Sequence, residues 1–117
     1  MSEKKALTAA DILGASRPAP SPVDVPEWGG VVFVRHLSAG EADDLEFVLG
    51  KDAQDDRNFR GRVIAACACD EKGNALFGEA QAGELANLGA APAGRVYDEA
   101  LRLNRIGPAG KEATAKN

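Results

Sequence analysis

Between Val23 and Leu49 the chain reads VDVPEWGGVVFVRHLSAGEADDLEFVL. No other stretch restricts the fold as tightly, because strand, turn, strand and capped helix follow one another without slack. Val23 and Val25 flank Asp24 in the alternation of a half-buried strand. Pro26 has no N–H to give to a ladder, so it marks a strand edge or end. Trp28-Gly29-Gly30 supplies the turn, since glycine takes positive φ at little steric cost. Val31-Val32-Phe33-Val34 is β-branched and aromatic, and four apolar residues in a row predict cover on both faces at that end. Ser38 and Glu41 then form a capping box, in which each side chain accepts the other's backbone N–H. Such a cap contributes roughly 1 kcal/mol. Ala42, Leu45, Val48 and Leu49 share one helical face, and Gly50 is a natural stop. A two-stranded hairpin is marginal alone in water. The apolar face of this helix is therefore expected to pack across the hairpin as the nucleus of the fold.

The flanks are read by the same rules. Thr8 and Asp11 make a second capping box, with Leu7, Ile12 and Leu13 forming one short apolar face. The sequence ASRPAPSP at 15–22 predicts an extended, polyproline-like spacer. Residues 51–58 are polar and predict an exposed loop. Asn58 is placed as the N-cap of a helix carrying Phe59, Val63, Ala66 and Cys67, with Ile64 beside them. Gly61 weakens that helix by about 1 kcal/mol relative to alanine. The uncharged run VIAACAC at 63–69 is expected to be the most buried part of the chain. Asp70 to Asn74 predicts a turn, and Ala75-Leu76-Phe77 a short extended piece. A helix follows over 79–88, with Ala82, Leu85 and Leu88 on one face and Gly89 as its stop. The last helix starts near Pro92 and runs to about Arg105, with Val96, Ala100 and Leu103 in line and Tyr97 and Leu101 beside them. Gly107-Pro108 ends it. The expected fold is α+β and mainly helical, a small N-terminal β-hairpin packed against about four helices. The expected division is a flexible arm (1–22), one domain (23–107) and a disordered tail (108–117).

Composition excludes several function classes. The formal charge is −4 and the pI about 5.0, with no basic stripe, which argues against a nucleic-acid partner. No apolar run approaches the length of a membrane-spanning helix, and the first residues lack the apolar core of a signal peptide. A cytoplasmic protein with no membrane partner is the expectation. Cys67 and Cys69, read as lying on one helix, would diverge by about 200°. With His36 as the sole histidine, they fall short of the four ligands of a structural zinc site. They are expected to be small buried apolar residues. His36 has no nucleophile at a catalytic spacing. Asp43 and Asp44 are adjacent on a helix and do not face one another. The 70–79 segment departs from a calcium loop at Lys72 and in its early glycine, and Gly29-Gly30 lacks the rest of a phosphate-binding loop. No catalytic residue, metal or cofactor is expected. Trp28, at the hairpin tip, either folds onto the core or stands exposed as an interface anchor.

The order of these features resembles a known family. A short helix (LTAADIL) leads into a proline-rich spacer. Then come V-x-V-P-E-W-G-G, a V-x-V strand, R-x-L-S and an acidic helix. Further on lie V-I-A-A-C, D-E-x-G-N-x-L-F and A-x-R-L-N. Over residues 7–107 this is similar to the tail assembly chaperones of long-tailed bacteriophages and related prophages. The resemblance implies a small, non-enzymatic protein of the host cytoplasm. It would bind the tape measure protein, keep its apolar helices soluble, help recruit tail tube (major tail) subunits, and leave before the virion matures. Self-association is a further expectation. In this family a ribosomal frameshift near the gene's end often makes a longer product, and Gly110-Lys111 is compatible with a slippery codon pair. A groove for helical ligands would draw on Trp28, Leu85, Tyr97, Leu101 and Leu103, unless these five only build the domain's own core. The alternative role is a structural tail completion or adaptor protein retained in the particle.

Overall fold

The computed structural model describes residues 4–51 and 58–106. The expected loop at 51–58 lies almost wholly outside them, as does the tail at 108–117. The described residues form five α-helices and one three-stranded antiparallel sheet, in the order α1 (Ala9–Leu13), β1 (Ser21–Val25), β2 (Gly30–Val34), α2 (Ala39–Lys51), α3 (Phe59–Cys67), β3 (Ala68–Cys69), α4 (Ala82–Leu85) and α5 (Ala90–Asn104). The fold is thus α+β and mainly helical, as expected, with α5 laid on the hairpin, α3 packed against α2, α4 and α5, and α1 on the arm.

The hairpin forms with Val23 opposite Val32 and Val25 opposite Gly30. Its turn is a single 3-10 turn over Pro26–Trp28, closed by Gly29 at φ 77°. That is a left-handed conformation which glycine adopts without penalty. The first strand begins earlier than the proline content suggests. Ser21 and Pro22 belong to β1, so the spacer ends at Pro20. Pro22 is tolerated because β1 is the outer strand of the order β1-β2-β3. Cover on β2 is one-ended: Val34 is fully buried, whereas Val31 is exposed.

Both capping boxes form. Ser38 N–H donates to Glu41 Oε1 at 2.8 Å and Glu41 N–H to Ser38 Oγ at 3.1 Å. Thr8 and Asp11 make the same reciprocal pair. Helix α2 buries Leu45 and Leu49 as its spacing requires, and it continues through Gly50 to Lys51. Its main packing partner, however, is α3. The helix laid on the hairpin is α5, which contacts both β1 and β2. The expected pairing of α2 with the hairpin is therefore replaced by a more strongly amphipathic helix, with Val96 and Ala100 fully buried. Ser21 Oγ donates to Glu99 Oε2 at 2.6 Å, and Arg95 pairs with Glu27 in the hairpin tip. These bonds fix α5 along the hairpin from both ends.

The 63–69 run is almost wholly buried but is not one helix. It changes to strand at Ala68, where Val34 pairs with Ala68 and Phe33 with Cys69. The Asp70 carboxylate accepts from the N–H groups of Lys72 and Asn74 and from Asn74 Nδ2. This tight turn returns the chain so that Ala75 bridges Cys69. Gly61, a weakness on propensity alone, sits where α3 crosses α4. An added Cβ would lie 2.0 Å from the Ala82 carbonyl oxygen. The expected 79–88 helix is cut to a 3-10 turn over Glu79–Gln81 and the four residues of α4. Gly89 caps α5 instead of merely ending α4. Helix α5 stops at Asn104, before Gly107. Arg105 takes φ 55°, its N–H bonds the Arg102 carbonyl, and Ile106 N–H bonds the Leu101 carbonyl, a Schellman motif built without glycine.

Candidate functional site

The hairpin tip, the 75–77 segment, α4 and the first turns of α5 surround an open groove of about 400 Å³. Its floor is Val32, Ile64, Ala68, Leu85 and Val96, and its walls are Trp28, Leu76, Phe77 and Leu88; the polar groups are Gln81 and Glu84. Trp28 is held over one side by the 3-10 turn and the Glu27–Arg95 pair. Gly78 N–H donates to Gln81 Oε1 at 3.0 Å and so fixes the start of α4 beside Phe77. Trp28 is 40% exposed, Leu76 53% and Leu88 38%. Large apolar side chains converging on one concavity while facing water are the usual mark of a binding surface.

A second concavity of about 520 Å³ lies between α2, α3 and the other side of Phe77. It mixes Leu45, Phe47 and Val48 with Arg35, Glu41 and Arg62. Its charges are structural in part. Arg35 Nε donates to the Ala66 carbonyl at 2.9 Å, and Arg35 Nη1 pairs with Glu41 at 3.1 Å. The Ser38 N–H, followed by Arg35, holds the Glu41 carboxyl down at about 2.

Of the five residues expected to contact a partner, the structure brings two together in the groove: Trp28 on the wall and Leu85 in the floor. Leu85 is also a core residue, only 6% exposed. Tyr97 lies elsewhere, edge-on to Phe59 at 5.9 Å with the Arg60 guanidinium over its ring. Leu101 and Leu103 are half-buried against the core. The residues missed by sequence reasoning are Val32, Leu76, Phe77 and Leu88. Leu76-Phe77 carried a legible signal: two large apolar residues inside a polar turn sequence, flanked by Asn74 and Gly78.

The candidate reactive groups sit in quiet surroundings. Cys67 ends α3 and Cys69 lies in β3, so the expectation that both lie on one helix is corrected. Both are buried. Burial pushes the Cys67 thiol up to about 12 and raises Cys69 as well, which keeps both protonated and poorly nucleophilic. Among the described residues, no three of His, Cys, Asp and Glu are grouped to hold a metal ion. No described helix is long and apolar enough to cross a membrane. No family model matches this chain, nor does any curated protein or solved structure.

Proposed function

We propose that this chain is a phage tail assembly chaperone that holds an apolar helix of the tape measure protein in the Trp28 groove. The observation that carries the reading is the groove itself: a nearly all-apolar floor, walls of exposed Trp28, Leu76 and Leu88, and polar groups limited to Gln81 and Glu84. A helix laid in such a groove buries its apolar face at i, i+3 and i+4. Each Å² of apolar surface removed from water contributes roughly 25 cal/mol. The sequence resemblance supplies the identity of the client and the recruitment of tail tube subunits. On this reading the protein acts in the host cytoplasm by binding alone, forms and breaks no covalent bond, and is absent from the finished particle.

Co-expression with the tape measure protein of the same phage tests this. Wild type should keep the long protein soluble and co-purify with it. Leu76→Asp and Leu88→Asp, at exposed positions, should abolish capture while the domain unfolds at the same temperature. Capture undiminished in both variants would overturn the assignment of the groove. Mass spectrometry of mature particles separates this role from that of a retained adaptor: stoichiometric recovery would replace chaperone by structural subunit.

A further inference from the structure

Leu76 forms a wall of the Trp28 groove, yet its side chain stays exposed, so burial does little to hold it there. Backbone bonds set its place instead. Leu76 N–H donates at 3.2 Å to the carbonyl of Ala68, a floor residue, and Ala75 bridges Cys69. Both contacts belong to a short hairpin whose turn is residues 70–74. The turn of a hairpin fixes its register, and a slip of one residue sends every side chain to the opposite face. Whatever holds this turn therefore decides whether Leu76 faces the groove.

One side chain does most of the holding. Asp70 Oδ1 accepts the N–H of Lys72 at 2.8 Å and that of Asn74 at 3.0 Å, and Oδ2 accepts Asn74 Nδ2 at 3.2 Å. The Asp70 N–H donates to the Asn74 carbonyl at 2.9 Å, and the Asp70 carbonyl accepts the Gly73 N–H at 3.0 Å. Hydrogen bonds to a carboxylate are stronger than those to a neutral acceptor. The Asn74 N–H, followed by that of Lys72, keeps the Asp70 carboxyl below its ordinary value. Neither Asp70 nor Asn74 lines the groove. We infer that Asp70 is a positioning residue of the binding groove, which acts through the 70–74 turn to hold the Leu76–Phe77 wall against the floor at Ala68. The Gly78–Gln81 bond holds the far end of the same wall, and Asp70 governs the near end. The inference rests on the groove's being the binding surface, but the placement of Leu76 is measurable without a client.

Two readouts on the full chain decide it. One is amide exchange at Leu76, followed by NMR. The other is affinity for N-phenyl-1-naphthylamine, an uncharged apolar fluorophore excited by energy transfer from Trp28. In Asp70→Ala the Leu76 N–H should exchange at least about tenfold faster, and the Val96 N–H in α5 should speed up by a smaller factor. The same variant should bind the probe about fivefold more weakly, since part of the Leu76 contact is lost. Asp70→Asn keeps an oxygen that can accept both backbone N–H groups, and should bind within about twofold of wild type. Glu71→Ala, in the same turn, should match wild type. Unaltered exchange at Leu76 in Asp70→Ala overturns the inference, as does probe binding at wild-type strength once Leu76 is loosened. Equal acceleration at Leu76 and Val96, or a variant that fails to fold, would make Asp70 a support of the whole domain and also overturn it. Wild type that binds neither the probe nor the tape measure protein, with Leu76 loosened in Asp70→Ala, would remove the proposed function and leave Asp70 holding the wall.

Discussion

Replacing Gly61 with alanine should destabilise the domain, although alanine is the better helix former. The new Cβ would stand 2.0 Å from the Ala82 carbonyl oxygen, 3.0 Å from its carbon and 3.1 Å from the Ala86 nitrogen. All three are backbone atoms of α4 and its end, so no side chain can swing aside. Non-bonded heavy atoms rest at roughly 3.5–4.0 Å, so α3 and α4 would have to part by more than an ångström. Overpacking of this kind costs about 1–3 kcal/mol, and a clash with backbone belongs at the upper end. The propensity gain returns about 1 kcal/mol. The net loss is about 2 kcal/mol, which for a domain of this size lowers Tm by roughly 8–16 °C. Gly94→Ala in α5 is the control, since a Cβ there meets nothing within 4 Å; it should gain up to about 1 kcal/mol. Urea unfolding followed by far-UV circular dichroism and by Trp28 emission gives both values, provided the two probes coincide. A Gly61→Ala protein as stable as the Gly94→Ala protein would refute the close α3–α4 crossing. It would also undo the placement of Ile64 and Leu85, which bring these two helices into the groove floor.

Three further outcomes are expected. Glu41 has its pKa lowered from 4.5 to about 2 by the Ser38 N–H and Arg35, so its stabilising effect is full above pH 4.5 and is lost as pH falls towards 2. Glu41→Gln should flatten the stability profile in that window, with a residual slope from Glu99, which Arg102 holds low, and from Asp11 and Asp70, held low by the Thr8 and Asn74 N–H groups; an unaltered profile would refute the cap. Asn104 Oδ1 accepts the Leu37 N–H at 2.8 Å, and its Nδ2 donates to the carbonyls of Arg35 and Ala100. Asn104→Ala should therefore cost about 1–3 kcal/mol in thermal or urea unfolding, and a neutral result would mean that water takes over these bonds. The buried thiols of Cys67 and Cys69 should alkylate at pH 8 only as fast as the fold opens. Mass spectrometry with and without urea reads this, and rapid labelling of the native protein would contradict the burial.

What was legible in the sequence was local. The Ser38–Glu41 and Thr8–Asp11 boxes depend on atoms three residues apart, and both formed as spaced. The stripe of Leu45 and Leu49 likewise follows from helix period alone. What was not legible depends on partners distant in the chain. Gly61 reads as a weak helix position until Ala82 is found against it. The 63–69 run has no period that separates helix from strand, and only pairing with Phe33 and Val34 turns its last two residues into β3. The 79–88 segment has helical spacing, yet it opens as a 3-10 turn over Glu79–Gln81, started by the Gly78–Gln81 bond, and only Ala82–Leu85 is α-helix. The groove combines residues from Trp28 to Val96; three of its walls, Leu76, Phe77 and Leu88, lie within 76–88, but the fourth, Trp28, and the floor residues Val32, Ile64, Ala68 and Val96 come from distant parts of the chain. Leu85 could be named because it lies on a helical face. Leu88 and Leu76 acquire meaning only beside Trp28.

Trp28 is the chain's single tryptophan, so its fluorescence reports the groove directly. Titrating the full protein with an apolar helical segment of the tape measure protein should give a saturable blue shift of Trp28 emission, and Leu88→Asp should abolish it. Binding detected by calorimetry with Trp28 emission unmoved, or no binding at all, would contradict the proposal that this protein works by covering a client helix there.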